Sequence, residues 1–215
     1  MDIFWLGHSC FRIKGKEATI VTDPYDSSIG YTSGKQAADI VTISHGHPGH
    51  SYLGNLEKGY RVINGPGEYE LRGVFITGVQ TYHDLSEGQE RGKNTLYIFE
   101  IDGITLCHLG DLGHSLSSSV IESIGNVTIL FLPVGDVSTI DSIVAAELVR
   151  AISPKIVIPM HYKTDAVTKQ LDSVELFLKK MGIKDVEPQP KLSLTRSVFS
   201  DNLQVILLNY PGQVN

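Results

Sequence analysis

The chain of 215 residues has no excess of basic charge: 18 Lys and Arg stand against 24 Asp and Glu, a net charge of −6 with histidine neutral. The phosphate backbone normally supplies most of the affinity for nucleic acid, and a chain of pI near 5.7 offers it no matching footprint, so no nucleic acid partner is expected. No apolar run approaches the ~18 residues that a membrane-spanning helix needs, which removes a transmembrane class. The opening residues, Met1-Asp2-Ile3-Phe4-Trp5-Leu6-Gly7-His8, have neither the basic start nor the apolar stretch of a secretory signal, and a cytoplasmic location is expected. Cysteine is scarce. Cys10 and Cys107 fall inside strand-like runs, where buried free thiols are expected rather than a disulfide. A Gly-x-Ser-x-Gly elbow is missing, which argues against a serine nucleophile. The nearest approach to a phosphate loop, Asn64-Gly65-Pro66-Gly67-Glu68, lacks the Lys-Ser/Thr end that nucleoside triphosphates require.

What is present is an ordinary globular composition, 41% hydrophobic and 20% charged, long enough for one sizeable core. Neither a repeat nor a linker divides the chain, so residues 1–215 read as a single domain. In the first half, short β-runs lie between Gly, Asn, Asp and Pro: 3–6, 10–13, 18–22, 40–44, 60–63, 74–79, 95–100 and 104–109. After Asp111 strands alternate with helices, the helices predicted over 116–124, 142–152 and 168–181 and the strands over 127–133, 156–159 and 203–209. Asp141 suits the N-cap of the second helix and Gly182 the position after the third. The polar loop from His83 to Asn94, with Gly88 and Gly92, suits an active-site flap.

The chemistry concentrates in Ser44-His45-Gly46-His47-Pro48-Gly49-His50. With eight histidines in the chain, a His-x-His-x-x-His match has a chance expectation of only about 0.01. The triplet begins where an apolar strand stops, and His45 and His47, two apart in extended chain, project to one side where a single cation can bind both. Three later strands also stop at metal-competent residues, at His83, Asp111 and His161. Ligands gathered from strand ends can converge on one edge of a sheet. A set of imidazoles and a carboxylate suits zinc, one or two ions, with manganese or iron as alternatives. Zinc lowers the pKa of its water from about 15.7 to about 7, so a hydrolase built this way needs no nucleophilic side chain.

These segments resemble the metallo-β-lactamase superfamily of metal-dependent hydrolases over nearly the whole chain. Gly7-His8-Ser9, Thr22-Asp23-Pro24-Tyr25, Gly110-Asp111-Leu112-Gly113-His114 and Pro159-Met160-His161-Tyr162 are most similar to the branch that contains L-ascorbate-6-phosphate lactonase and the N-acylphosphatidylethanolamine phospholipase D. The resemblance implies an α/β (α+β) fold, a four-layer αβ/βα sandwich with the site at one edge of two packed sheets. It also implies a first metal site of His45, His47 and His83, a second of His50 and His161, and Asp111 bridging them. Hydrolysis of an ester, lactone or phosphodiester by a metal-bound hydroxide would follow, with Asp111 orienting the hydroxide and His50 or His161 holding a metal or the developing oxyanion.

One departure stands out: Gly49 occupies the position of the signature aspartate. Losing that carboxylate leaves the second site one negative charge short and weakened, and His8 or His114 could reach the vacancy. The same glycine supports the alternative of a non-catalytic, metal- or ligand-binding descendant of the fold. Around the ligands, Asp23 either orients a ligating imidazole or opens the turn at Pro24. His114 either contacts substrate or caps a helix. Asn94 and Lys163 are candidate substrate contacts, Lys163 otherwise serving its own loop, and His108, an odd number of residues from Asp111, faces the core. A small-molecule substrate is expected, while its identity and the oligomeric state are not readable from the residues.

Overall fold

The structure, a computed structural model, describes residues 1–194, 200 and 202–213. Its strands in chain order are β1 (Asp2–Gly7), β2 (Cys10–Lys14), β3 (Thr19–Thr22), β4 (Ile40–Thr42), β5 (Arg61–Ile63), β6 (Gly67–Leu71) and β7 (Val74–Tyr82). There follow β8 (Lys93–Ile101), β9 (Ile104–His108), β10 (Ile129–Pro133), β11 (Ile156–Met160), β12 (Leu192–Ser193) and β13 (Gln204–Val205). The helices are α1 (Pro48–Ser51), α2 (Ser118–Ile124), α3 (Ser142–Ile152) and α4 (Val174–Lys180). One sheet runs β12-β1-β2-β3-β4-β5 and the other β13-β11-β10-β9-β8-β7-β6.

Burial patterns explain the layering. Along β1 and β2, Ile3, Trp5, Phe11 and Ile13 face the second sheet, and Phe11 meets Phe131 of β10 with ring centroids 4.4 Å apart. β10 and β11 are buried at every position, as strands covered on both faces must be. They pair in parallel with each other, and β9 joins β10 in the same sense, so α2 and α3 serve as the crossovers. Contacts of α3 with α2 and α4 place these helices in one layer. On the far side of the first sheet, Leu6, Cys10, Val21 and Val41 pack against Tyr25, Ile29, Tyr31, Leu56, Val167 and Leu171. That outer layer is loop and a 3-10 turn at Ser27–Ile29 rather than long helices. The expected sandwich is therefore present, with one outer layer made of irregular chain.

Local expectations fare unevenly. Asp141 caps α3, accepting from the amides of Ile143 and Val144, and Gly182 follows α4 at φ +69°. Ser117, not His114, caps α2. The third helix begins at Val174 instead of 168, because the Asp172 amide donates to Gly135 O (2.8 Å) and Asp172 O accepts from the Lys163 amide (2.8 Å), bonds that a helical turn would need for itself. Of the strand expected over 203–209, Gln204–Val205 pairs with β11, and a single bridge joins Leu208 to Gln189. β6 was not expected: as a sheet edge it exposes both faces, so its sequence carries no apolar alternation. Both cysteines are buried and free. Among the described residues no helix is long and apolar enough to cross a membrane.

Candidate metal centre

β3 and β4 run parallel and end together at the sheet edge, which delivers Asp23 and Ser44 side by side. Asp23 takes a left-handed backbone (φ +40°), and its amide donates to Thr42 O at 2.8 Å. Its carboxylate is completely buried and fully engaged: Oδ1 accepts from the Ser44 amide (2.8 Å), Oδ2 from Ser44 Oγ (2.6 Å) and from His50 Nδ1 (2.9 Å). Having given its proton to Asp23, the Ser44 hydroxyl accepts from His45 Nδ1 at 3.0 Å. One carboxylate thereby fixes two imidazoles with their Nε2 atoms turned inward. Pro48 at the first position of α1 turns the chain so that His50 comes back to the sheet edge, while His47 stays exposed.

Asp111 arrives from the second sheet. β9 ends at His108, and Gly110 at φ +58° carries the chain around; a Cβ there would lie 2.4 Å from Asn94 Oδ1, so no side chain fits. Asn94, completely buried on β8, accepts from the Asp111 amide (3.0 Å) and donates to Thr81 Oγ1 (2.7 Å) and Leu109 O (2.9 Å). It holds Asp111 from behind and does not line the cleft. Ser9 Oγ donates to Asp111 Oδ1 at 3.3 Å. Oδ2 is the centre of the site: His50 Nε2 lies 3.0 Å from it, His161 Nε2 3.3 Å, His83 Nε2 3.6 Å and His45 Nε2 3.9 Å.

The metal-competent atoms form two adjacent groups, His45 with His47 and His83, and His8 with His50, Asp111 and His161, each within 4.8 Å internally. His8 and His161 both have φ of +54°, and the His161 amide donates to His8 O (3.2 Å), so two strained strand ends meet across the seam between sheets. Non-glycine residues in this region each cost on the order of 1 kcal/mol or more, a strain that collects at functional sites. Four buried ring nitrogens, both of His8 and Nδ1 of His83 and of His161, have no hydrogen-bond partner. Unpartnered buried polar atoms are destabilising. A divalent cation of the zinc type fits this donor set.

Electrostatics separate the two groups. Burial, reinforced by positive His50, pushes His45 down to about 3; burial likewise takes His83 down to about 4, against the pull of Asp111. These imidazoles are neutral at neutral pH and ready to donate lone pairs. His50 is opposite: burial alone would lower it, but Asp111 and Asp23 on either side raise it to about 9. Burial works against the Asp111 carboxylate, yet His161 and His50 hold it well below the usual range.

Other expected residues take supporting places. His114 uses both ring nitrogens, Nε2 accepting from the Tyr82 amide (3.1 Å) and Nδ1 donating to Ser115 O (2.7 Å), so it braces the end of β7 and does not join the ligands. His108 is completely buried, with Nε2 donating to Ser9 O (2.8 Å). Lys163 donates to Val167 O (2.7 Å), within its own loop. The sequence reading missed three contributors. Asp84 gathers the 83–94 loop by accepting from the amides of Ser86, Gly88, Glu90 and Arg91; whatever desolvation costs it, these four donors hold its carboxyl down at about 2. Arg91 and Lys169 line the cleft of about 390 Å³ over Asp111, His47, His50 and His83. The spacing of Asp84 to a glycine-bearing loop could have flagged the first; nothing in the sequence joins Lys169 to the histidines.

Comparison with known proteins bears on the family and the fold. The model of the beta-lactamase superfamily domain matches residues 2–161. A UPF0173 metal-dependent hydrolase of Thermoplasma volcanium is 31% identical over 197 residues, covering 79% of this chain and 86% of that protein. One from Archaeoglobus fulgidus is 26% identical over 219 residues, 87% of this chain and 94% of that protein. The crystal structure of a candidate zinc-dependent hydrolase of the metallo-beta-lactamase superfamily from Thermotoga maritima superposes with a TM-score of 0.80 at 37% identity, covering 97% of this chain and 99% of that one.

Proposed function

The chain belongs to the UPF0173 metal-dependent hydrolases of the metallo-β-lactamase superfamily, and from that membership we propose a zinc-dependent hydrolase of small ester, lactone or phosphodiester substrates that carry negative charge. The observation that carries this reading is the convergence of four Nε2 atoms on Asp111 Oδ2, all within 3.9 Å. His45, His47 and His83 would hold one ion, and His50, His161 and Asp111 belong to a second position. The second is weakened, because Gly49 supplies no carboxylate. The nitrogen-rich donor set favours zinc over manganese or iron. When bound, such an ion supplies Lewis acidity, making water acidic near neutral pH and drawing electrons from a carbonyl or phosphoryl oxygen.

The chain's own groups do the rest. Asp111, fixed by Asn94 and Ser9, accepts a hydrogen bond from the attacking water and sets its direction. His50, held at Nδ1 by Asp23, has Nε2 turned to the same carboxylate, where it would hold the second ion. Arg91 and Lys169 sit at the cleft, and Asp111 is the one carboxylate among its lining residues, a balance that favours anionic substrates. Both enzymes of the branch that the motifs resemble act on phosphate-bearing molecules, in keeping with that balance.

The test is to strip the protein of metal, reload it with zinc and assay bis(p-nitrophenyl) phosphate, a phosphorylated sugar lactone and neutral p-nitrophenyl acetate. Turnover restored by zinc and greater on the charged substrates is expected. Zero turnover on every substrate overturns the hydrolase reading, and preference for the neutral ester overturns the charge argument.

A further inference from the structure

Gly49 leaves a carboxylate out, and the structure shows what stands in its place. A Cβ built on Gly49 would lie 3.4 Å from His8 Nε2 and 2.9 Å from Ile29 Cδ1. The imidazole of His8 therefore occupies the volume into which a longer side chain at 49 would extend. An aspartate at 49 would compete with the ring for that space. His8 comes from the tight connection between β1 and β2, where Gly7 at φ +109° and His8 at φ +54° turn the ring toward the cluster. Its ring centroid lies 4.1 Å from that of His161 and 4.8 Å from that of His50. The side chain is 1% exposed, and neither ring nitrogen has a hydrogen-bond partner.

No apolar packing role requires that arrangement. A buried imidazole with two idle nitrogens, in a strained backbone, costs free energy unless something binds it. Its neighbours within reach are His50, His161 and Asp111, each already aimed at one point.

Resting on the metal-dependent reading above, we propose that His8 is a ligand of the second metal, replacing the absent carboxylate, so that this position is held by His8, His50, His161 and Asp111. An imidazole in place of a carboxylate leaves the centre one unit more positive, which strengthens the pull on an anionic substrate from the same side as Arg91 and Lys169. It also shifts preference toward zinc and cobalt and away from magnesium and manganese, whose affinity rests on oxygen donors.

Cobalt(II) titrated into the metal-stripped full chain tests this by calorimetry, and by the strongly shifted imidazole N–H resonances in proton NMR. The unaltered protein should take two equivalents and show six such resonances, from His45, His47, His83, His8, His50 and His161. In His8→Ala the first equivalent stays and the second weakens by about 100-fold or more, a loss of the size expected when a metal site is disturbed. Adding Gly49→Asp to that variant restores the second equivalent, which a merely structural His8 would not allow. Five resonances at double loading, one equivalent only in the unaltered protein, or wild-type affinity for both equivalents in His8→Ala each overturn the proposal while leaving the hydrolase reading standing. Uptake of no cobalt overturns both. Should His8→Ala fail to fold, the resonance count in the unaltered protein decides.

Discussion

The two histidine groups share one carboxylate oxygen, yet the chain builds them by opposite means. His45 and His47 come from a single loop two residues apart, and His47 is open to solvent. His83 joins them from the end of β7. The other group draws His8, His50, Asp111 and His161 from four separated segments, every one buried, and three of those segments bend through left-handed backbone, at His8, Gly110 and His161. The first is cheap to assemble because neighbouring residues share one strand exit. The second needs both sheets in place, since the His161 amide reaches His8 O across the seam. Burial gives the first group neutral, ready donors in His45 and His83; the second holds a protonated imidazole between two acids until a cation displaces the proton.

The comparison breaks most completely at Asp111. Asp111→Ala removes the oxygen that both groups face: metal analysis should find the second equivalent lost and the first, left to three imidazoles, held more weakly, with turnover at background; two equivalents at full affinity would show that the carboxylate serves neither group. His47→Ala is next, and sharpens the difference: the first equivalent and turnover go, while the buried second group keeps its geometry. Cobalt spectra that lost both equivalents would contradict that separation.

A smaller effect is expected of Asp23→Asn, which leaves all ligands in place. Its carboxylate supports His50 directly and His45 through Ser44. Metal affinity should fall about 10- to 100-fold, as when other hydrogen-bond partners of ligating histidines are removed, and fall more for the second equivalent. Equal loss at both positions would show that the Ser44 relay matters as much as the direct bond.

The mildest test is the melting temperature of the metal-free protein against pH. His45 and His83 lie near 3 and 4 when folded, against an ordinary value of 6.5. The unfolded chain then binds more protons as pH falls below about 6.5, so stability declines from there toward about 3. His50 carries the reverse sign, because its folded value is raised to about 9. Its contribution is complete below about 6.5 and disappears as pH rises through about 9. A melting curve with losses on both flanks is expected, and His50→Gln should lessen the alkaline loss and, by removing a positive neighbour of His45 and His83, soften the acid one as well. A flat alkaline side in the unaltered protein would count against the paired carboxylates around His50.

Much of this was readable in advance where the information is local. The histidine triplet, the strand ends at His83, Asp111 and His161, the cap at Asp141 and the buried parallel strands all follow from spacing and periodicity. Readings that depended on a partner far away went differently. Asn94 looked like a substrate contact, but it is sealed behind Asp111, and that burial comes from the pairing of β7 with β8. His114 is near Asp111 in sequence, but the Tyr82 amide claims its free nitrogen. The helix expected from 168 is shortened by bonds to Gly135 and Lys163, neither of which sequence adjacency reveals.

The resemblance to the metallo-β-lactamase superfamily supplied the layered class of the fold and the acid missing at position 49, while from the residues alone came the mix of strands and helices and the half of the centre that lies on one loop. Hydrophobic periodicity and close spacing encode such things directly. Folding decided what fills the gap at Gly49, which carboxylate orients which ring, and which cations stand at the mouth of the cleft. Those are relations between segments far apart in the chain, and they exist only once the two sheets have packed and brought their strand ends to a common edge.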